Sequence, residues 1–305
     1  MEGVGDRPFR QAMATIGGFD EAVTEFIRVP INAHVESLAR VYQSDELGSI
    51  PLAAQVMGSS DTLIAQMGQE LEKRGAPRID LNCGCPSNTV TGKGAGSSLL
   101  KNPNHLFNIA KSLVQAVTIP VTIKMRSGYD DTTLFHENLF AAQDSGVSFI
   151  TLHPRTKKEG YSAQANWDLI QQAKELLKIP VVGNGDIKTT DDALNMLKAT
   201  RCDALMIGRG AVIDPFIFLK LKAHFKGETL TITLDDYHQF LQAFASYLLP
   251  QTPHRTKGNK LKQLLSFMFT STPLLETQRP SMLRLDTSNP EHFLNSALEL
   301  LKKFS

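Results

Sequence analysis

Val121-Thr122-Ile123-Lys124-Met125-Arg126, with Pro120 in front of it, alternates apolar and polar side chains without a break. Successive side chains of a strand point to opposite faces, so Val121, Ile123 and Met125 share one face and Thr122, Lys124 and Arg126 the other. In a (β/α) barrel the first face packs on helices, and the second lines the interior and, at its C-terminal end, the active-site mouth. Two cations then point into that mouth. Lys124 alone is also compatible with a strand-end charge that reaches solvent. The pair is harder to explain that way, because a charge turned inward is costly without a partner.

The same unit recurs on both sides: a short run rich in Val, Ile and Leu, a polar or glycine-containing turn, then a stretch of helical period. Strands are expected at Ala22–Phe26, Leu52–Val56, Ile79–Cys83, Val121–Met125, Phe149–His153, Val181–Asn184 and Ala204–Ile207. Pro51, Pro120 and Pro180 stand just before three of them, where a missing donor does least harm. Helical stretches lie between them, among them Leu63–Lys73, Leu106–Val117, Leu134–Asp144, Leu169–Leu177 and Asp191–Lys198. Alternation on this scale predicts a parallel sheet closed as a TIM (β/α)8 barrel. A closed barrel needs an eighth strand, and the first helical stretch, at about Arg7–Ile16, has none before it. The first barrel strand is therefore expected to be missing from this chain.

Beyond about Gly227 the strand signal stops, and helices are expected at Leu234–Leu249, Asn259–Phe269 and Pro290–Lys303. Two domains follow, a barrel over residues 1–228 and a small all-helical domain over residues 229–305. Leu261, Leu264, Leu265 and Met268 recur at helical spacing as one apolar stripe, with Lys260 and Lys262 on opposite flanks.

Composition narrows the function. The chain has 305 residues, 42% hydrophobic and 21% charged, with a net charge of +1, so nothing global attracts a polyanion. No run approaches the ~20 apolar residues of a membrane span. Three cysteines cannot build a disulfide framework, and Cys83-Gly84-Cys85 lacks the paired spacing of a zinc site. A cytoplasmic protein without membrane or metal, and monomeric, is expected.

Polar groups converge on the mouth from several strands. Thr151 and His153 share the inner face of one strand, and Ala53 and Gln55 that of another. Asp80-Leu81-Asn82-Cys83-Gly84-Cys85-Pro86-Ser87 ends a strand and enters a loop holding Gly92, Gly94 and Gly96. Cys83 has the setting of a small buried hydrophobe. Cys85, beyond the strand end and held by Pro86, is the better catalytic candidate. Gly183-Asn184-Gly185-Asp186 and Ile207-Gly208-Arg209-Gly210 occupy the last two loops, where barrels of this kind bind phosphate. An inward lysine with a phosphate site suggests flavin mononucleotide or a sugar phosphate.

In order, spacing and loop placement, Asp80–Pro86, Lys124-Met125-Arg126, His153-Pro154-Arg155-Thr156, Asn184-Gly185-Asp186 and Ile207-Gly208-Arg209-Gly210 resemble the tRNA-dihydrouridine synthase family. The resemblance covers the whole barrel. Thr24-Glu25-Phe26-Ile27-Arg28 and Thr156-Lys157-Lys158-Glu159-Gly160-Tyr161 resemble its bacterial C-type branch, which acts on U16 of the D-loop. The resemblance implies bound FMN, NADPH as electron donor and tRNA as substrate. It implies Cys85 as general acid toward uracil C5. Gln55, Lys124 and His153 are implied as flavin contacts, and Asn184, Gly185, Asp186, Gly208 and Arg209 as contacts to the flavin phosphate. Asn82 and Arg126 are implied near the target base.

Two features depart from the family. Its helical-domain run Arg-x-Lys-Gln-Trp-Leu is replaced by Lys260-Leu261-Lys262-Gln263-Leu264-Leu265, which keeps the charge of an RNA contact at Lys260 but loses the bidentate arginine. The family also opens on an apolar strand ending Ala-Pro-Met before Glu-Gly, whereas this chain opens at Met1-Glu2-Gly3. A start further upstream, supplying that strand, is the expectation. Rival classes are an FMN-dependent reductase of a free pyrimidine, like dihydroorotate dehydrogenase, and an inactive RNA-binding relative. Arg255, Lys257, Lys260 and Lys262, with no acid between them, favour a macromolecular substrate.

Overall fold

The computed structural model describes residues 4–248 and 250–302. The Met1-Glu2-Gly3 start, Leu249 and Lys303 lie outside these residues. The chain divides into two compact units, one of residues 21–187 and 191–207, the other of residues 4–20, 188–190 and 208–302.

The first unit holds the sheet. Its strands are β1 (Ala22–Val23), β2 (Ile27–Val29), β3 (Leu52–Gly58), β4 (Ile79–Cys83), β5 (Val121–Gly128), β6 (Ile150–Thr156), β7 (Val181–Asn184) and β8 (Ala204–Met206). Every pairing is parallel, in the order β1-β3-β4-β5-β6-β7-β8, with β2 also on β3. β1 falls within the strand expected at Ala22–Phe26, while β2 begins just past its end; both pair with β3, so the eight segments fill seven positions. Among the described residues no ladder joins β8 to β1, and the result is the open, seven-position arc of a TIM-like (β/α) barrel.

The helices form where the sequence caps them. Ser60 accepts from the Leu63 amide at 3.3 Å to open Asp61–Lys73, and Asn102 accepts from His105 at 3.1 Å to open Pro103–Ala116, with proline at the tolerated first position. Ile64, Met67 and Leu71 bury one face of the first helix, and Leu106, Ile109 and Leu113 one face of the second. They pack against a sheet whose outward side chains, Ile79, Leu81, Cys83, Ile123, Met125, Ile150 and Leu152, are all fully buried. Each such Leu or Ile contributes about 1.5–3 kcal/mol, which makes this layer the main source of the unit's stability.

β5 and β6 run past their expected ends at Met125 and His153, to Gly128 and Thr156. An irregularity in their pairing between Arg126 and Gly128 marks the rim, a common place for a bulge beside a site. Parallel register stacks the inner residues in levels. Gln55, Asp80 and Thr122 pair side by side, Asn82, Lys124 and Thr151 form the next level, and Arg126 and His153 the one above.

The second unit is helical. Asp6 caps the helix Arg7–Ile16, whose Phe9 meets Phe240 edge to face at 6.4 Å. Leu234–Tyr247, His254–Met268, Pro273–Arg284 and Pro290–Lys302 complete its long helices, preceded by Arg209–Ile213 and Ile217–Lys226. The expected boundary at residue 228 is therefore not where the compact units divide, because the first helix and the two after β8 group with the helical unit. Pro273–Arg284 is a helix where the sequence suggests only turns. Pro280 inside it looks like a breaker, but Thr272 caps the helix and Pro273 starts it.

Candidate active site

Asp80 is wholly buried and lies between two neighbouring strands. Its Oδ1 accepts from the Thr122 hydroxyl at 2.7 Å and lies 3.5 Å from the Arg78 guanidinium. Its Oδ2 accepts from Gln55 Nε2 at 2.8 Å. Gln55 Oε1 accepts from Asn82 Nδ2 at 2.8 Å, and Asn82 Oδ1 accepts from the Gly84 and Cys85 amides at 3.0 and 2.9 Å. At the far end Arg78 donates to Glu21 through two nitrogens at 2.9 and 2.8 Å, and also to Thr122. A string of hydrogen bonds thus runs through the sheet's interior to the backbone of Cys85.

The Cys85 loop is held from three further sides. Its carbonyl accepts from the Ser97 amide and hydroxyl at 3.2 and 2.9 Å. Its half-buried side chain packs against the cluster of Met57, Val90 and Ala95, as does that of Phe26. Gly96 has a φ of +63°, and a Cβ there would stand 3.2 Å from that of Cys85, so a larger residue would push the loop away. Arg126 braces the loop from above, donating to Gly84 O at 2.9 Å, Thr156 O at 2.8 Å and Gly160 O at 3.2 Å, with its guanidinium 5.4 Å from the Tyr161 ring centre.

Of the two neighbouring cysteines, Cys83 faces outward and is fully buried, and burial with nearby Asp80 pushes its thiol well above the ordinary range. It has no access to a ligand. Cys85, two residues past the end of β4, is only half-buried.

On the level of Asn82, Lys124 donates to Asn184 Oδ1 at 3.1 Å, and Asn184 Nδ2 donates to Met206 O at 2.7 Å. Burial lowers the Lys124 amine to about 8; Asp80 opposes the shift and Arg126 adds to it. His153 is lowered to about 3, by burial first and then by Lys124, Arg126 and Arg155, against Asp186. Arg155 NH1 lies 3.5 Å from His153 Nε2. Guanidinium can only donate, so Nε2 carries the lone pair and the single proton of the neutral ring sits on Nδ1. That Nδ1 and the Thr151 Oγ1 have no partner, although both are buried. Buried polar groups are seldom left so without a ligand to meet them.

The β7 loop is built for close approach. Gly185 has a φ of +122°, and a Cβ on it would stand 3.2–3.4 Å from His153, Pro154 and Ala165. Asp186, in the left-handed region at φ 55°, gives its carboxylate to Arg155 at 2.5 Å and to the Ala165 amide at 2.9 Å. The carboxylate is engaged in fastening two loops, and a carboxylate would repel a phosphate. Any anion contact by Asp186 would therefore run through its backbone. These features, an inward ammonium beside buried polar groups without a partner, fit a planar, many-acceptor group such as the expected flavin.

Gln55, Asn82, Cys85, Lys124, Arg126, His153, Asn184, Gly185 and Asp186 are thus gathered in one unit. Gly208 and Arg209 belong to the other, where Gly208 opens the helix Arg209–Ile213. Lys260 is also there, paired with Asp6 at 2.9 Å, and Lys262 donates to the carbonyls of Leu283 and Leu285 at 3.0 and 2.5 Å. Sequence reasoning singles out neither Asp80 nor Arg155, although both stand inside its motifs. It also misses a basic and aromatic cluster beside the Cys85 loop. There Lys101 Nζ lies 3.9 Å and Lys157 Nζ 5.1 Å from the centre of the Tyr129 ring, and Lys157 donates to Asn88 at 3.1 Å. Neither ammonium has a carboxylate partner among the described residues. No group of three His, Cys, Asp or Glu placed to hold a metal occurs among those residues, and no helix there is long and apolar enough to cross a membrane.

Comparison with known proteins gives three kinds of match. The family model described as dihydrouridine synthase matches residues 1–291. A tRNA-dihydrouridine(16) synthase of Neisseria meningitidis serogroup B is 33% identical over 280 residues, 88% of this chain and 84% of that protein. The protein of the same name from Pseudomonas syringae pv. tomato is 35% identical over 283 residues, 90% and 89% of the two chains. Among solved structures, a 2-naphthoyl-CoA reductase superposes with a TM-score of 0.56 at 11% identity, covering 97% of this chain and 64% of that one. Histamine dehydrogenase from Rhizobium sp. 4-9 gives 0.52 at 14% identity, covering 73% and 44%. At such identities the structural likeness concerns the fold alone.

Proposed function

Because the chain belongs to the dihydrouridine synthase family, we propose that it reduces the C5–C6 double bond of a tRNA uridine, at position 16 of the D-loop, to 5,6-dihydrouridine. The relatives of that name, matched along 84% and 89% of their own length, carry this reading. When bound, flavin mononucleotide would supply the hydride chemistry toward uracil C6, with NADPH as the electron source.

The residues of the chain do the rest. Cys85 Sγ gives a proton to uracil C5, a general-acid step that needs a thiol and not a thiolate. Asn82 and Arg126, whose own bonds fix the Cys85 loop, flank the base. Gln55 retains one Nε2 hydrogen beyond its bond to Asp80, and His153 offers its Nδ1 hydrogen, so both can donate to cofactor carbonyl groups. The Lys124 ammonium, aimed by Asn184, stabilises negative charge beside the cofactor. Asn184, Gly185 and the Asp186 backbone are assigned to the phosphate, with Gly208 and Arg209 assigned by sequence order alone. Lys101 and Lys157 supply cations beside the mouth for the RNA backbone, and a tRNA substrate puts this work in the cytoplasm.

The test is dihydrouridine mapping of tRNA incubated with the flavin-loaded protein and NADPH. Dihydrouridine at position 16 is expected. Reduction of free orotate with no change in any tRNA would replace this reading with that of a small-pyrimidine reductase. A protein that takes up no flavin would replace it with that of a non-catalytic relative.

A further inference from the structure

We propose that Asp80 is a positioning residue that sets, through Gln55 and Asn82, where the Cys85 thiol stands; its bearing on catalysis rests on the role just given to Cys85. An amide side chain can be turned end for end at almost no steric cost, so each of the two amides in the string has two orientations. A carboxylate removes the choice, because it accepts and never donates. Asp80 Oδ2 therefore requires Nε2 of Gln55 at 2.8 Å, which leaves Oε1 facing Asn82. That oxygen in turn requires Nδ2 of Asn82, also at 2.8 Å. Asn82 is then left with its oxygen toward the strand end, where it collects the amides of Gly84 and Cys85. The buried charge at one end and the two backbone N–H groups at the other thereby demand the same sense of every bond between them.

Stability alone does not explain this string. A buried ion pair such as that of Arg78 and Asp80 is often no better than a well-packed apolar core of the same volume. What an apolar core would lack is direction. Arg78 and Thr122 hold the other carboxylate oxygen, so Asp80 is not free to rotate and release Gln55.

Asp80→Asn keeps the shape and removes the direction. If its new amino group faces Gln55, that amide must turn, Asn82 must follow, and the Asn82 amino group meets two backbone N–H donors. If it faces Thr122 instead, the Arg78 guanidinium meets a donor. Adding Gln55→Glu repairs both faults. The glutamate accepts from the amino groups of the new asparagine and of Asn82, while the asparagine oxygen keeps Thr122 and Arg78. The negative charge moves one residue along the string and the bonds at Cys85 regain their original sense.

The measurement is the rate of Cys85 alkylation by iodoacetamide, in full-length protein stripped of flavin alike in every variant because Gln55 is itself assigned to the cofactor, followed by mass spectrometry. Cys83 and Cys202 are buried and serve as slow internal controls. Asp80→Asn is expected to change the Cys85 rate by about tenfold, the worth of roughly one hydrogen bond. The double variant should return to within about twofold of the native rate, the spread left when all partners are matched. A native rate in Asp80→Asn, or a double variant no nearer native than the single one, overturns the proposal. If Asp80→Asn is insoluble, the double variant must be soluble with a near-native rate, and its failure also overturns it. Alkylation requires no tRNA. If the rates follow this pattern while uridine is not reduced, the functional reading fails and the positioning role stands.

Discussion

The Lys124 ammonium reaches across β6 to the side-chain oxygen of Asn184 on β7, 3.1 Å away, and Asn184 is itself tied to Met206 O on β8 at 2.7 Å. The lysine is thus aimed by two strands it does not pair with. This aim gives its charge a fixed place, and its lowered affinity for a proton makes the charge sensitive to pH.

With the Lys124 amine brought to about 8 by burial, the charge is present below that pH and lost above it. The rate at which NADPH reduces the flavin-loaded protein should fall as pH rises through this region, and Lys124→Ala should lose both the rate and the inflection. An anionic cofactor beside the lysine moves the inflection upward only. Stopped-flow reduction without tRNA checks this, and equal rates for the two proteins would remove Lys124 from its role.

Cys85→Ala should retain flavin and lower uridine reduction ~100- to 10,000-fold, the usual worth of a general acid. Cys83→Ala should leave turnover nearly unchanged, because that side chain faces the helices. It should cost about 1 kcal/mol of stability as an ordinary core truncation. Single-turnover reduction of tRNA, read beside denaturant unfolding, separates the two.

His153 gives a pH signature in stability. The unfolded chain takes up the imidazole proton near 6.5, whereas the fold resists it down to about 3, so the native state binds fewer protons between these values. Stability is full above 6.5 and declines as pH falls toward 3. Between pH 6.5 and 5, above most carboxylate titration, urea unfolding of the protein should show this decline and His153→Gln should flatten it. Parallel slopes for both would contradict a buried neutral histidine.

Lys101→Ala and Lys157→Ala should each weaken tRNA binding and reduce its salt dependence by about 0.7–0.9 for every phosphate no longer neutralised. Flavin reduction should be unchanged in both. Lys262→Ala should instead lower the melting temperature, since its ammonium closes the end of Pro273–Arg284 through two carbonyls. Lys260 shares its charge with Asp6, so the tRNA effect of Lys260→Ala should be smaller than that of Lys101→Ala. Binding isotherms at several salt concentrations decide the order.

The sequence by itself determined the alternation of strand and helix and the two faces of each strand, because both follow from local periods that a linear chain displays. Thr122, Lys124 and Arg126 point inward for that reason, and so do Thr151 and His153. Cys85 was separable from Cys83 by its place beyond the strand end, next to Pro86. Tertiary structure alone decided what each inward group touches. Asp80 meets Gln55 and Thr122 only because three strands align in one register, and no local signal carries register. The Lys101, Tyr129 and Lys157 cluster comes from three separate segments for the same reason. Pro280 looks like the end of a helix because its missing N–H is a local fact, while the Thr272 cap and the packing of Met282 that keep that helix are not. Lys260 and Lys262 read as cations on opposite flanks of one helix, and only Asp6, Leu283 and Leu285, brought near by folding, give each ammonium its partner.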